Sequence, residues 1–264
     1  MELSPGAAVL IAVASVIAGA VNAVAGGGTL LAFPSLTFVG VPTVEANLTT
    51  TVSLTPGYLG GTLAQRIDLR HQVTRALRLV VPACLGGLSG ALLLVVTSEG
   101  VFRRIVPWLI FAACGLLASQ DRVRAYVDER QRNAADQTDQ RRPHPSGAGP
   151  LAIGATFVAA IYGGYFGAGL GIILLAVLGL LLDDELRNVN ALKQLLALAT
   201  NVSAAVLLLF SGRVQWEPAV VMASGSLVGG LLGGRVAGRI DARKLRRVVI
   251  TIGVVIGVIY LVRG

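Results

Sequence analysis

Charge is scarce in this chain of 264 residues. Asp, Glu, Lys and Arg together make up 14% of it, while hydrophobic residues reach 54%. Soluble domains carry about a quarter charged residues. A soluble globule of this size could not hide so much apolar surface, and the mean hydropathy is +0.74. A lipid bilayer must cover it, which excludes a cytosolic enzyme, a disordered protein and a secreted disulfide scaffold. Cysteine is nearly absent: Cys84 and Cys114 both lie in apolar runs without CxxC spacing and read as packing residues. The two histidines, His71 and His144, fall in loops, so no His site lies in the bilayer. No carboxylate sits deep in an apolar stretch, so an Asp/Glu proton relay is not evident. There is no HExxH, no Cys/His metal spacing and no Walker A lysine, so neither a metal nor a cofactor is expected. Aromatics are 5% of the chain and do not interleave with basic residues. The net charge of +8 therefore reads as basic cytoplasmic loops, with no nucleic-acid partner.

Glycine, by contrast, is abundant at 33 residues. With few aromatics, this suits close helix approach in a membrane. Apolar stretches run approximately over 7–39, 46–64, 74–97, 101–118, 150–182, 189–210, 217–237 and 244–262. Most are near the ~20 residues that span a bilayer as helix. The two longest are interrupted by glycine, at Gly26-Gly27-Gly28 and at Gly167-Ala168-Gly169-Leu170-Gly171. The latter run resembles a dinucleotide loop only in its letters, since no strand precedes it and no ribose acid follows. The polar stretch 119–149 reads as a flexible cytoplasmic linker between a first membrane repeat, 1–118, and a second, 150–264. The N-terminus lacks the basic region of a signal peptide, so the first apolar run is expected to remain in the mature protein.

The halves repeat. A shift of 143 residues carries Ala25-Gly26 onto Ala168-Gly169, Gly28 onto Gly171 and Asn47 onto Asn190. The same shift carries Gly86-Gly87-Leu88 onto Gly229-Gly230-Leu231 and Arg103-Arg104 onto Arg246-Arg247. Duplicated halves are typical of secondary transporters. Charge then chooses between topologies. If each long stretch folds back at its glycines, the segments 66–78, 119–149, 183–188 and 235–247 share a side and carry 17 of the 22 Lys and Arg. Arg103, Arg104, Arg213 and Arg263 lie opposite. Single crossings of the long stretches give a much weaker bias, so the positive-inside rule favours hairpins. The expected fold is an all-α polytopic membrane protein of two inverted repeats. Each repeat has a glycine-broken hairpin plus three transmembrane helices, and both termini lie outside the cytoplasm.

Breaks inside apolar stretches free backbone groups that protein, water or ligand must satisfy. The helical segments starting near Thr29 and Ile172 would aim positive ends at the membrane interior, as an anion site requires. Candidate backbone donors are Gly26, Gly27, Gly28, Thr29, Gly169, Gly171 and Ile172. Candidate side chains for an oxyanion are Asn22, Asn47, Thr50, Asn190 and Asn201. Lys193 is the one Lys or Arg a full turn inside a span, and it would supply charge. The glycine runs 86–90 and 225–238 read as helix packing. Trp108, Trp216, Tyr58 and Tyr260 read as interface or packing aromatics.

Asn22-Ala23-Val24-Ala25-Gly26-Gly27-Gly28, followed by Leu31 and Pro34, resembles the first-repeat signature of the TauE/SafE sulfite-exporter family. Tyr162-Gly163-Gly164-Tyr165-Phe166-Gly167-Ala168-Gly169-Leu170-Gly171 resembles its second, with Leu170 where a glycine is common. Asn190-Ala191-Leu192-Lys193 and Asn201 resemble the polar span that follows. The resemblance implies export of small sulfur-containing anions, such as sulfite, sulfonates or related organosulfur compounds, from the inner (plasma) membrane. The expected partners are a small anionic substrate and the lipid bilayer, and self-association into a homo-oligomer stays open. The rival readings are a passive anion channel and a transporter of a non-sulfur organic anion. A membrane-embedded enzyme would need paired acids or His at bilayer depth and finds none. An accessory protein without transport is the last alternative.

Overall fold

A computed structural model describes residues 4–24, 27–136, 149–182, 184–236 and 242–263. The described chain is helical: α1 Pro5–Val24, α2 Thr29–Phe38, α3 Thr43–Ala64, α4 Arg66–Leu69, a 3-10 turn Arg70–Gln72, α5 Val73–Val96 and α6 Glu99–Asp136. The second half holds α7 Pro150–Tyr165, α8 Leu170–Leu181, α9 Leu186–Leu209, α10 Trp216–Val236 and α11 Ala242–Arg263. Five described helices are long and apolar enough to cross a membrane: α1, α5, α6, α9 and α11. Large apolar side chains stand exposed along them, including Val81, Leu85, Leu92 and Val96 of α5. Exposure of that kind is stable only against lipid. The protein is an all-α, multi-pass membrane protein.

The 143-residue shift reappears in the helices. Thr43, Val73 and Glu99 start α3, α5 and α6, and Leu186, Trp216 and Ala242 start α9, α10 and α11. The packing is reciprocal too: α1 lies on α10 and α7 on α5, while α3 and α9 meet at the centre. Glycine makes the first two contacts possible. A Cβ on Gly229 would strike the Val16 carbonyl, and one on Gly90 the Ile161 carbonyl. The glycine runs at 86–90 and 225–233 therefore serve close backbone approach.

Contacts at helix ends fix direction. At one face, Glu99 starts α6 and accepts from Thr43 N (2.5 Å), Thr43 Oγ1 (2.6 Å) and Val44 N (3.0 Å), capping the start of α3. At the same face Arg213, ahead of α10, donates to Val95 O at the end of α5. At the other face Arg75 of α5 pairs with Asp184 (2.6 Å) and Arg187 with Asp68 (2.7 Å). There too, Arg246 of α11 pairs with Asp121 of α6 (2.8 Å). Helices α3, α6 and α10 thus run one way and α5, α9 and α11 the other. The face holding Arg75, Arg187 and Arg246 is termed the basic face.

The broken stretches do not cross. Residues 12, 16 and 20 of α1 face 225, 229 and 233 of α10, so the two helices run parallel. Residues 157 and 161 of α7 face 86 and 90 of α5 in the same sense. Helix α1 therefore enters at the face opposite the basic one, and α2 returns there, where Thr37 bonds Tyr260 of α11. Helix α7 enters at the basic face and α8 returns to it ahead of α9.

Helix α6 continues to Asp136, through the first part of the stretch expected as a linker. Residues 119–136 contain no Gly or Pro, and Arg124 and Asp128 are an i,i+4 pair of opposite charge. Val127 is fully buried in that extension and covers Gly179 of α8. Residues 137–148 lie outside the described ones.

Candidate functional site at the meeting of the two breaks

The second break turns on two left-handed glycines, Gly167 (φ 78°) and Gly169 (φ 82°). Its freed carbonyls are met by protein. Tyr162 Oη donates to Ala168 O (2.6 Å), and Asn47 Nδ2 of α3 donates to Tyr165 O (2.7 Å). Leu170 stands where the first break has Gly27, and its side chain lies over Gly163, which has no Cβ to obstruct it. The first break turns at Gly27 (φ 102°), covered by Leu117 of α6. Gly28 is pressed against the Ala18 carbonyl. Gly26 lies outside the described residues.

The breaks meet. Thr29 Oγ1 lies 4.0 Å from where a Cβ would stand on Gly167. Phe33 and Phe166 pack edge to face with centroids 5.9 Å apart. Helices α2 and α8 leave this point toward opposite faces, so both present N-terminal, partially positive ends to the same interior zone.

A polar cluster lies on the central helices. The Tyr58 hydroxyl of α3 faces the side chains of Asn22 of α1 and Asn201 of α9. Asn201 Nδ2 also donates to Ala197 O (2.8 Å). Tyr58 is 7% exposed and packs in the core, as a packing aromatic would, with its hydroxyl turned to this cluster. The available signal was the repeat itself, since the 143-residue shift carries Tyr58 onto Asn201. Two to three turns away on α3, Asn47 and Thr50 are fully buried, and Asn47 Oδ1 and Thr50 Oγ1 have no partner among the described residues.

The remaining candidates lie toward the basic face. Asn190 Nδ2 donates to Gln65 Oε1 (2.7 Å), and Lys193 Nζ donates to Asn190 Oδ1 (2.7 Å). The Lys193 stem lies beside Gly171 at the start of α8. The structure thus brings together Asn22, Thr29, Asn201, Tyr58 and the glycine breaks, and sets Asn190 and Lys193 apart as a second group. The amides of Asn47 and Asn190 are committed to a backbone carbonyl and to Gln65. Their geometry holds a break and a lysine in place.

A well-formed cavity lies elsewhere. It has a volume of about 800 Å³ between α2, α11 and the start of α6, and Leu31, Pro34, Phe38, Ile256 and Tyr260 line it. An apolar lining of this kind suits acyl chains better than an oxyanion. Among the described residues no group of three His, Cys, Asp or Glu could hold a metal.

The family described as "Sulfite exporter TauE/SafE" matches residues 11–260. The "Probable membrane transporter protein ORF9" of Sinorhizobium sp. is 27% identical over 229 residues, covering 82% of this chain and 78% of that protein. The "Probable membrane transporter protein YfcA" of Escherichia coli K12 is 25% identical over 225 residues, covering 81% and 75%. A "Probable membrane transporter protein" of Haemophilus influenzae is 25% identical over 219 residues, covering 81% and 78%. No solved structure matches. With its paired glycine signatures, broken helices and family match over most of its length, the chain belongs to the TauE/SafE sulfite exporter family of membrane transporters.

Proposed function

We propose that the protein is a secondary transporter of the inner membrane that exports small sulfur-containing anions by alternating access. Two inverted repeats, 1–118 and 150–264, move against one another around a fixed site, joined by the cytoplasmic segment 119–149. The carrying observation is the convergence of the α2 and α8 starts at Thr29 and Gly167, beside Asn22, Tyr58 and Asn201. Two positive helix ends and a set of amide and hydroxyl donors fit an oxyanion with several acceptors.

Backbone N–H groups of Gly27, Gly28, Thr29, Gly169 and Gly171 face the anion, and Asn22, Asn201 and the Thr50 hydroxyl complete its shell. Lys193 supplies charge on the side toward the basic face. Asn47 and Asn190 are positioning residues. Moving one negative charge out of a negative-inside cell is favoured by about 2.3 kcal/mol per 100 mV, so export needs no carboxylate relay.

A thermal-shift screen of the purified protein against sulfite, sulfate, thiosulfate, taurine, sulfoacetate and matched carboxylates tests this. Ligand at 100 times its Kd stabilises the folded state by about 2.7 kcal/mol. Selective stabilisation by a sulfur oxyanion, reduced in Asn201→Ala and Lys193→Ala, is expected. Equal stabilisation by the carboxylates, or none by any anion, overturns the sulfur assignment. Counterflow distinguishes the carrier from a passive anion channel, which has none.

A further inference from the structure

A second cluster of cations lies at the basic face. Arg246 of α11 is 5% exposed. Its Nη1 pairs with Asp121 (2.8 Å), but its Nε has no hydrogen-bond partner among the described residues. Arg124, one turn along α6 from Gln120, lies within coulombic range of both Arg246 and Lys193. Gln120 is 3% exposed and its Oε1 also lacks a partner. Helix α6 touches α8 through Leu116 at Gly169 and through Val127 at Gly179. Gln120 and Arg124 stand between those contacts, on the path from the basic face to the second break. The acids facing this cluster are Asp121, shared with Arg243, and Asp128.

We propose that Arg124, Lys193 and Arg246 form a second oxyanion site that loads the central one from the basic face. The ligand class is a sulfate, sulfonate or phosphate group. The physical argument is compensation. Cations in mutual repulsion and a buried guanidinium N–H without an acceptor are both costly at the edge of a low-dielectric slab. An oxyanion between them relieves the repulsion and accepts the idle N–H, as guanidinium groups do for tetrahedral anions. Lys193 borders both sites and would pass the anion toward Gly171. The loading role rests on the proposed transport function; the existence of the site does not.

The test is equilibrium dialysis of labelled sulfate with the full chain in phosphatidylcholine nanodiscs. Two sulfates per chain are expected, with one remaining in Arg124→Gln and one in Asn201→Ala. Unchanged stoichiometry in Arg124→Gln overturns the second site and leaves the central one standing. Unchanged stoichiometry in Asn201→Ala, with loss in Arg124→Gln, sinks the central reading instead. Asp121→Asn guards against misfolding. Removing the competing carboxylate should tighten sulfate about fivefold, whereas a merely structural Arg246–Asp121 clamp predicts lower thermal stability with unchanged binding. Repeating the dialysis in phosphatidylglycerol nanodiscs separates the sources. Loss of the second sulfate identifies a lipid phosphate as the resident ligand, and its retention identifies a soluble anion.

Discussion

At Tyr58 one hydroxyl faces asparagines from the two halves of the chain. Tyr58→Phe removes the hydroxyl that faces both amides in a dry interior. Such a loss costs about 1–3 kcal/mol, and a drop in Tm together with weaker sulfite stabilisation is the expected readout. Gly27 shows a different constraint. Its φ of 102° and the Leu117 side chain above it exclude a methyl group. Gly27→Ala should therefore destabilise by about 1–2 kcal/mol from the backbone alone, measured by thermal denaturation. The sequence made these residues unequally visible. Asn22 and Asn201 stood out because polar groups in apolar stretches are expensive, and Thr29 because a helical segment starts there after the glycine break. Tyr58 was not, since an aromatic near a span end is usually an interface anchor. Asn47 and Asn190 were legible as polar, but whether their amides bind or brace depends on Tyr165 O and Gln65, contacts more than 100 residues away in sequence.

Among the elements, the hairpins were expected from charge: fold-back at the glycines gathers 17 of the 22 Lys and Arg on one side. The helix pairs α1 with α10 and α5 with α7 were readable as glycine spacing, though not as partners. Reciprocal substitution tests them. Gly90→Leu and Gly229→Leu each force a side chain into a neighbouring backbone. Overpacking typically costs about 1–3 kcal/mol, so both should lower Tm and the folded monomer yield, while Gly115→Leu, with open space around it, should not. The length of α6 was missed. A polar stretch between apolar halves resembles a linker, but residues 119–136 hold good helix formers and a buried Val127. Breakers begin only at Pro143.

For the whole molecule, α3, α5 and α6 run opposite to α9, α10 and α11, their counterparts under the 143-residue shift. With the basic face toward the cytoplasm, as the positive-inside rule predicts, Arg70 and Lys244 are expected on the cytoplasmic side and Arg104 and Arg213 outside. Single cysteines at these positions, in a chain with Cys84 and Cys114 replaced by Ala, should label from opposite sides in intact cells. Labelling of Arg70→Cys and Arg213→Cys from the same side contradicts the inverted arrangement. The central claim is that the paired breaks carry a sulfur oxyanion across the membrane. Its most direct test is efflux of labelled sulfite from proteoliposomes under an imposed inside-negative potential. The account predicts saturable efflux that quickens with potential, shows counterflow and is lost in Asn201→Ala. Sulfite efflux no faster than from protein-free vesicles, or indifferent to potential, contradicts it.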